Sequence, residues 1–229
     1  MMNARARSVV LLGRLLRFGF LASSAIGSAT VGCAAPKPIV VDFSEAQHEY
    51  ESRDYAEVYR RWTRHQVVRY EIADDALEAW ATLKAWDFRE AYVEHYATVY
   101  NLSDADKGAL RAAQLESSRD AYEFHVTAQS TNYKWNDLEK RSSAWRVTLV
   151  DGAGHELAPE SVRLEKLPDP YEIEFFPAKG PFTRSYAIRF VKPAAAGGKE
   201  PDFVGARTGS LTLRIASPVG RLELTWLSI

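Results

Sequence analysis

The chain has 229 residues, with 29 Lys and Arg against 30 Asp and Glu, and a single cysteine. The near-neutral sum hides an asymmetry: without Arg5, Arg7, Arg14 and Arg17 in the leader, 25 basic residues face 30 acidic ones. A mildly acidic domain is not built to bind nucleic acid by counterion release, one thiol excludes an internal disulfide, and the length suits one domain.

Residues 1–32 carry those four arginines and no acidic residue, then Phe18-Gly19-Phe20-Leu21-Ala22, then small residues to Gly32. A charged start, a short apolar middle and a small-residue end make a secretory signal peptide. The uncharged run from Phe18 is shorter than the ~20 residues of a membrane-spanning helix. Thr30-Val31-Gly32-Cys33 resembles the lipobox of bacterial lipoproteins, with Thr30 where that family usually has leucine. The resemblance implies diacylglyceryl transfer to Cys33, cleavage after Gly32 and acylation of the new amino group. Several acyl chains at ~0.8 kcal/mol per buried methylene anchor a protein stably in a membrane. Ala34, where an aspartate would signal inner-membrane retention, implies an outer-membrane, periplasm-facing address. Two rivals stay open. One is a mitochondrial transit peptide, also Arg-rich and acid-free; the other is a lone thiol at Cys33. Residues 33–41, with Pro36 and Pro38, read as a stiff tether.

The first helix is expected over Asp42–Trp62, capped by Asp42 or Ser44, with Tyr55, Val58, Tyr59 and Trp62 as its apolar stripe. Arg60, Arg61 and Arg64 would form a basic face, either solvated or set against anionic headgroups. Ala76–Lys84 alternates as a strand. Asp87-Phe88-Arg89-Glu90 has capping-box spacing and starts a helix to residue 100. Ser103 with Asp106 opens another, to about Ser117. From Ala121 the period becomes two, with Tyr122, Phe124, Val126 and Ala128 on one face. Trp135-Asn136-Asp137 falls on a polar connection. Further strands are expected over 145–149, 161–167, 171–176, 185–192, 210–216 and 221–227, the last two joined at Pro218-Val219-Gly220. Pro193–Gly209 reads as a mobile loop.

Short strands between Gly and Pro turns suggest an α+β fold. The expected form is an antiparallel β-sandwich with an N-terminal helix and a two-helix insertion after the first strand. Residues 42–120 would be the mostly helical part of one mature domain and 121–229 the sandwich part. At Trp135-Asn136-Asp137-Leu138, Trp145-Arg146-Val147-Thr148-Leu149, Phe88-Arg89-Glu90-Ala91-Tyr92 and Phe175-Phe176-Pro177 the chain resembles a group of uncharacterised bacterial lipoproteins. That likeness implies an envelope location and one domain, and no activity.

No cofactor or metal motif is present. Glu45-x-x-His48 is half of a carboxylate-bridged diiron unit, but no second Glu-x-x-His exists to complete it. His95 lies on an apolar stripe and reads as a core histidine. There is no His-Glu-x-x-His and, in the mature chain, no Gly-x-Ser-x-Gly. Ser, His and acidic residues are all present, and triads assemble in space rather than in sequence. Trp135, Asn136 and Asp137 are the loop candidates for a contact site, with Trp135 as either an exposed contact or a buried cap.

Three readings follow. A non-enzymatic envelope adaptor, assembly factor or binding module, with a protein partner, predicts an exposed aromatic patch or an open sheet edge. A periplasm-facing hydrolase predicts a pocket with converging His or carboxylate groups. A lipid-headgroup domain predicts an apolar cavity, or Arg60, Arg61 and Arg64 exposed together.

Overall fold

The protein is described by a computed structural model over residues 38–69, 75–177, 183–194, 201 and 203–228. The leader and Cys33 lie outside the described residues. Along the chain run β1 (Val40–Val41), α1 (Tyr55–Trp62), β2 (Thr63–Arg69), β3 (Asp75–Leu83), α2 (Trp86–Val99), α3 (Asp104–Asp120) and β4 (Ala121–Gln129). Then come β5 (Arg146–Asp151), β6 (Glu156–Leu157), β7 (Ser161–Glu165), α4 (Asp169–Phe175), β8 (Arg184–Val191), β9 (Ser210–Ser217) and β10 (Gly220–Ser228). This is a mixed α+β fold with two five-stranded sheets, ordered β1-β10-β9-β5-β6 and β2-β3-β4-β8-β7. All neighbours pair antiparallel except β1 with β10.

The two sheets share one apolar core. Phe124 of β4 meets Trp226 of β10 with ring centroids 5.4 Å apart, and the Trp226 indole N–H donates to Trp62 O at 2.9 Å. Trp62 and Trp226 are both fully buried. Each such side chain taken from water contributes roughly 2–3 kcal/mol before entropy is set against it.

The alternating segments are strands, and Ser103 caps α3 by accepting from Asp106 N at 3.2 Å. Other expectations are corrected. Helix α1 covers only Tyr55–Trp62, not Asp42–Trp62, because residues 42–51 are tied down in a non-helical form. Within that segment Asp42 turns back onto Ser44, His48 N donates to Glu90 at 2.7 Å, and the Tyr50 hydroxyl donates to Asp87. Tertiary hydrogen bonds outweigh a modest helical preference there.

Arg64 lies in a strand that the helical reading did not foresee, so Asp75–Leu83 is the third strand and α2 and α3 follow the third rather than the first. The 42–120 stretch therefore carries two strands of its own sheet. Val40–Val41, assigned to the tether, pairs with the end of β10. The Asp87 capping box does not form. Helix α2 starts at Trp86 with Ala85 as its cap, and the Asp87 and Glu90 carboxylates are buried against side chains and backbone elsewhere.

The expected strand at 171–176 is helix α4, because Asp169-Pro170 at its start suits a helix N-terminus. Its Tyr171 and Phe175 fall one turn apart on the face toward α2. Of the loop over 193–209, residues 195–200 and 202 lie outside the described residues, while Phe203, Gly205 and Ala206 are buried rather than loose.

Candidate binding cleft

Trp135, Asn136 and Asp137 lie together, but their polar groups are turned inward. Asn136 is 1 % exposed. Its amide donates to Ala128 O at 2.7 Å, and its side-chain oxygen accepts the Tyr186 hydroxyl at 2.9 Å. Half-buried Trp135 offers its carbonyl to the Trp145 indole N–H at 2.8 Å, and Asp137 accepts the Ser143 hydroxyl at 2.8 Å. These residues plug the end of a strand.

The arginines are dispersed as well. Arg60 is exposed on α1, whereas Arg61 reaches buried Asp87 at 3.3 Å and Glu57 at 3.3 Å. Arg64 lies over the Trp226 ring at 5.5 Å and donates to Thr225 O at 2.8 Å, Arg61 O at 2.8 Å and Thr63 O at 3.0 Å. Burial pulls its pKa down to about 10, so it stays a cation, but one spent on backbone carbonyls. The shared basic face is not formed. Glu45 and His48 also part company, Glu45 lying 3.7 Å from Arg119 and His48 3.8 Å from Asp87. Among the described residues no group of three or more His, Cys, Asp or Glu could hold a metal ion.

Among the described residues, one concavity is a cleft of about 530 Å³ where the ends of β3, β4, β8 and β10 meet the chain entering at Asp42. Phe43, Trp86, Tyr122 and Phe203 supply aromatic surface, Lys192 and Arg207 positive charge, and Asp42 and Glu45 an acidic rim. Register explains the assembly. Tyr122 and Phe190 pair across β4 and β8 and point with Phe124 into the core, and Lys192 is the first residue beyond β8.

The Lys192 ammonium sits 4.9 Å from the Tyr122 ring centroid and donates to Ser118 O at 2.6 Å. Burial lowers its pKa, with nearby Arg89 adding to the effect and Glu45 opposing it. Burial raises the Tyr122 phenol. The approach of Tyr122 requires Gly205, whose φ of +63° suits glycine and where a Cβ would stand 2.1 Å from the phenol oxygen.

One donor is left over. The Trp86 indole N–H is buried without a hydrogen-bond partner while Arg119 covers its ring at 5.3 Å. A buried unmet donor costs roughly 1–3 kcal/mol, which a ligand oxygen would recover. No family model, curated protein or solved structure matches the chain. The cleft therefore stands on its own chemistry. Its described lining holds no histidine and brings together cations, the Asp42 and Glu45 carboxylates and aromatic rings.

Behind the cleft, a network ties α2 and α3 to the sheet. Arg89, 1 % exposed, donates to Lys84 O at 2.7 Å, Gln114 Oε1 at 2.7 Å and Glu123 Oε2 at 2.7 Å. Glu123 also accepts from Ser117 at 2.8 Å and Arg189 at 3.3 Å. Burial alone would raise the Glu123 pKa, but the Arg89 hydrogen bond and charge bring it below the usual value. All three guanidinium nitrogens of Arg89 are engaged, so the network is structural. Nothing in the sequence pointed to the cleft, because its residues come from six separated segments.

Proposed function

We propose that the chain is a bacterial envelope lipoprotein, anchored through Cys33 and facing the periplasm from the outer membrane, whose domain acts by binding. Its two sheets read as an antiparallel sandwich, with α1 as the N-terminal helix and α2 and α3 as an insertion between paired neighbours β3 and β4. The bound species is a small amphipathic anion held in the cleft. The observation that carries this reading is a cleft whose lining brings together Trp86, with its unmet indole N–H, the Lys192 ammonium and a set of aromatic rings. Such a site pairs with an anionic oxygen at one end and with apolar carbon at the other. Asp42 lies only nine positions beyond Cys33, a reach of at most about 30 Å. A lipid anchor would thus hold the cleft near the bilayer surface.

Two measurements test the two parts. Intact mass and membrane fractionation of the wild type against Cys33→Ser should show an acylated, membrane-bound form beginning at Cys33 that the variant lacks. Identical fractionation would sink the anchor. For the cleft, decanoate should change the tryptophan fluorescence, and Lys192→Glu should weaken its binding at least about tenfold, the scale of one charge-assisted contact. Equal affinity in both proteins would remove the cleft reading and leave the anchor untouched.

A further inference from the structure

Away from the cleft, and sharing no residue with it, three side chains distant in sequence form a hydrogen-bonded line. Ser52 Oγ lies 2.8 Å from His95 Nδ1, and His95 Nε2 lies 2.9 Å from Glu174 Oε1. Ser52 opens the short 3₁₀ turn before α1, His95 sits in the third turn of α2, and Glu174 is near the end of α4. The imidazole is clamped. Tyr55 stacks on one face with centroids 4.6 Å apart and planes 9° from parallel, and Phe175 meets the ring edge-on at 5.3 Å.

The Glu174 carboxylate assigns the roles of the two ring nitrogens, because it can only accept from Nε2. In the neutral ring one nitrogen donates and the other accepts. With the Nε2 proton given to the Glu174 carboxylate, the Nδ1 lone pair faces the Ser52 hydroxyl. A nucleophile on a base, and the base on an orienting carboxylate, is the arrangement that activates a serine. Serine hydrolases more often present Nε2 to the hydroxyl. The chemistry is the same through either nitrogen, provided the other is held by the carboxylate. Ser52 is half-buried and so accessible, and the His95 side chain is 14 % exposed.

The surroundings select the substrate. Val99 lies one turn beyond His95, Ile173 adjoins Glu174, and Tyr100 stacks on Phe175. These three are among the most exposed large apolar side chains described, at 44 %, 60 % and 49 %.

We propose that Ser52, His95 and Glu174 form a nucleophilic centre that hydrolyses carboxylic esters with an apolar acyl group, the acyl group lying against Val99, Tyr100 and Ile173. Ser52 Oγ bonds to the acyl carbon while its proton passes to His95 Nδ1. The C–O bond to the leaving group breaks, and that oxygen takes the proton from Nδ1 and departs as the alcohol. Water then attacks the acyl-serine, losing a proton through Nδ1 to Ser52 Oγ, and the carboxylic acid leaves. Glu174 stays ionised throughout and steadies the imidazolium, as a positioning residue.

The test is covalent labelling of the full chain with an alkyl fluorophosphonate, read by intact mass and peptide mapping, alongside hydrolysis of p-nitrophenyl butyrate. The wild type should gain one adduct, on Ser52, and Ser52→Ala none. His95→Gln should slow labelling by about 100-fold, the usual scale of a lost general base. Glu174→Gln should lower kcat with KM unchanged, and Glu174→Asp should restore most of it. An unlabelled wild type, or labelling equally fast in His95→Gln, overturns the proposal. Should His95→Gln fail to fold, the exposed Glu174→Gln substitution decides alone, and an unchanged kcat overturns it.

Discussion

The β2-β3-β4-β8-β7 sheet is buried on both faces along its central strands, and the two faces are held by different chemistry. Toward the other sheet stand Leu77, Ala79, Ala81, Leu83, Phe124, Val126, Ile188 and Phe190, all essentially without exposure. On the reverse, Thr82, His125, Thr127 and Ser185 are just as buried but polar, and Glu123 and Arg189 continue the row. The reverse face can be polar because its groups meet polar partners, Glu123 with Arg89 of α2, His125 with Glu165 and Ser185 with Glu172, while Phe176 stacks on His125. One face is selected by volume. The other is selected by matched donors and acceptors, which is costlier to build and more specific in what it accepts.

The comparison is broken most directly at Arg89. Arg89→Ala should cost about 3–5 kcal/mol in urea unfolding, since Lys84 O, Gln114 and Glu123 all lose the same buried donor. Phe124→Ala, on the apolar face, should cost a similar 3–5 kcal/mol by opening a cavity. The double substitution Arg89→Met with Glu123→Leu separates the two causes. It should recover most of the Arg89 loss if matching, rather than charge itself, is what the polar face needs. A cost below about 1 kcal/mol for Arg89→Ala would mean the network contributes little. A middling effect is expected at Asn136→Ala, about 2 kcal/mol, because Ala128 O loses its donor and the Tyr186 hydroxyl keeps only the carbonyl of residue 136.

A pH effect sharpens the same contrast. His125 is held by stacking on Phe176 at 3.7 Å, by Glu165 at 3.2 Å and by Thr127 at 3.3 Å, with Lys84 and Glu172 also facing it. Burial lowers its pKa below the ordinary value, although Glu165 pulls the other way. The folded state therefore binds fewer protons than the unfolded one below about pH 6.5. Stability from this group is fully present above that pH and is lost as pH falls toward the lower folded value. Thermal unfolding from pH 7.5 to 5 should show this slope, and His125→Gln should flatten it. Glu123, also lowered, adds a separate loss only below about pH 4.3. The smallest effect belongs to Arg60→Ala, within about 0.5 kcal/mol, because that side chain is exposed and bonds only the Ala56 carbonyl of its own helix.

Legibility followed the range of the interaction. Period-two alternation gave β4, β9 and β10 to within a residue, since each side chain there answers to the pleat it sits on. Ser103 announced α3 because a cap is a contact three residues long. Residues 42–51 misled for the opposite reason. Their helical letters are overruled by Asp87 and Glu90 some forty residues away. His95 read as a core histidine on its stripe, and half of that is right. Tyr55 and Phe175 do pack its ring, but Ser52 and Glu174, 43 and 79 residues distant, take its two nitrogens.

The sequence by itself determined the strand and helix periods of most of the domain, the lone cysteine behind a basic and apolar N-terminal stretch, and the absence of any contiguous catalytic motif. Tertiary structure alone decided that the loop asparagine is a buried plug, that three neighbouring arginines serve three different purposes, and that the cleft exists. It also decided that Ser52, His95 and Glu174 meet. The physical reason is distance along the chain. Periodicity and capping are written in contacts a few residues apart, whereas a cleft or a relay is written in contacts that form only once both sheets have packed.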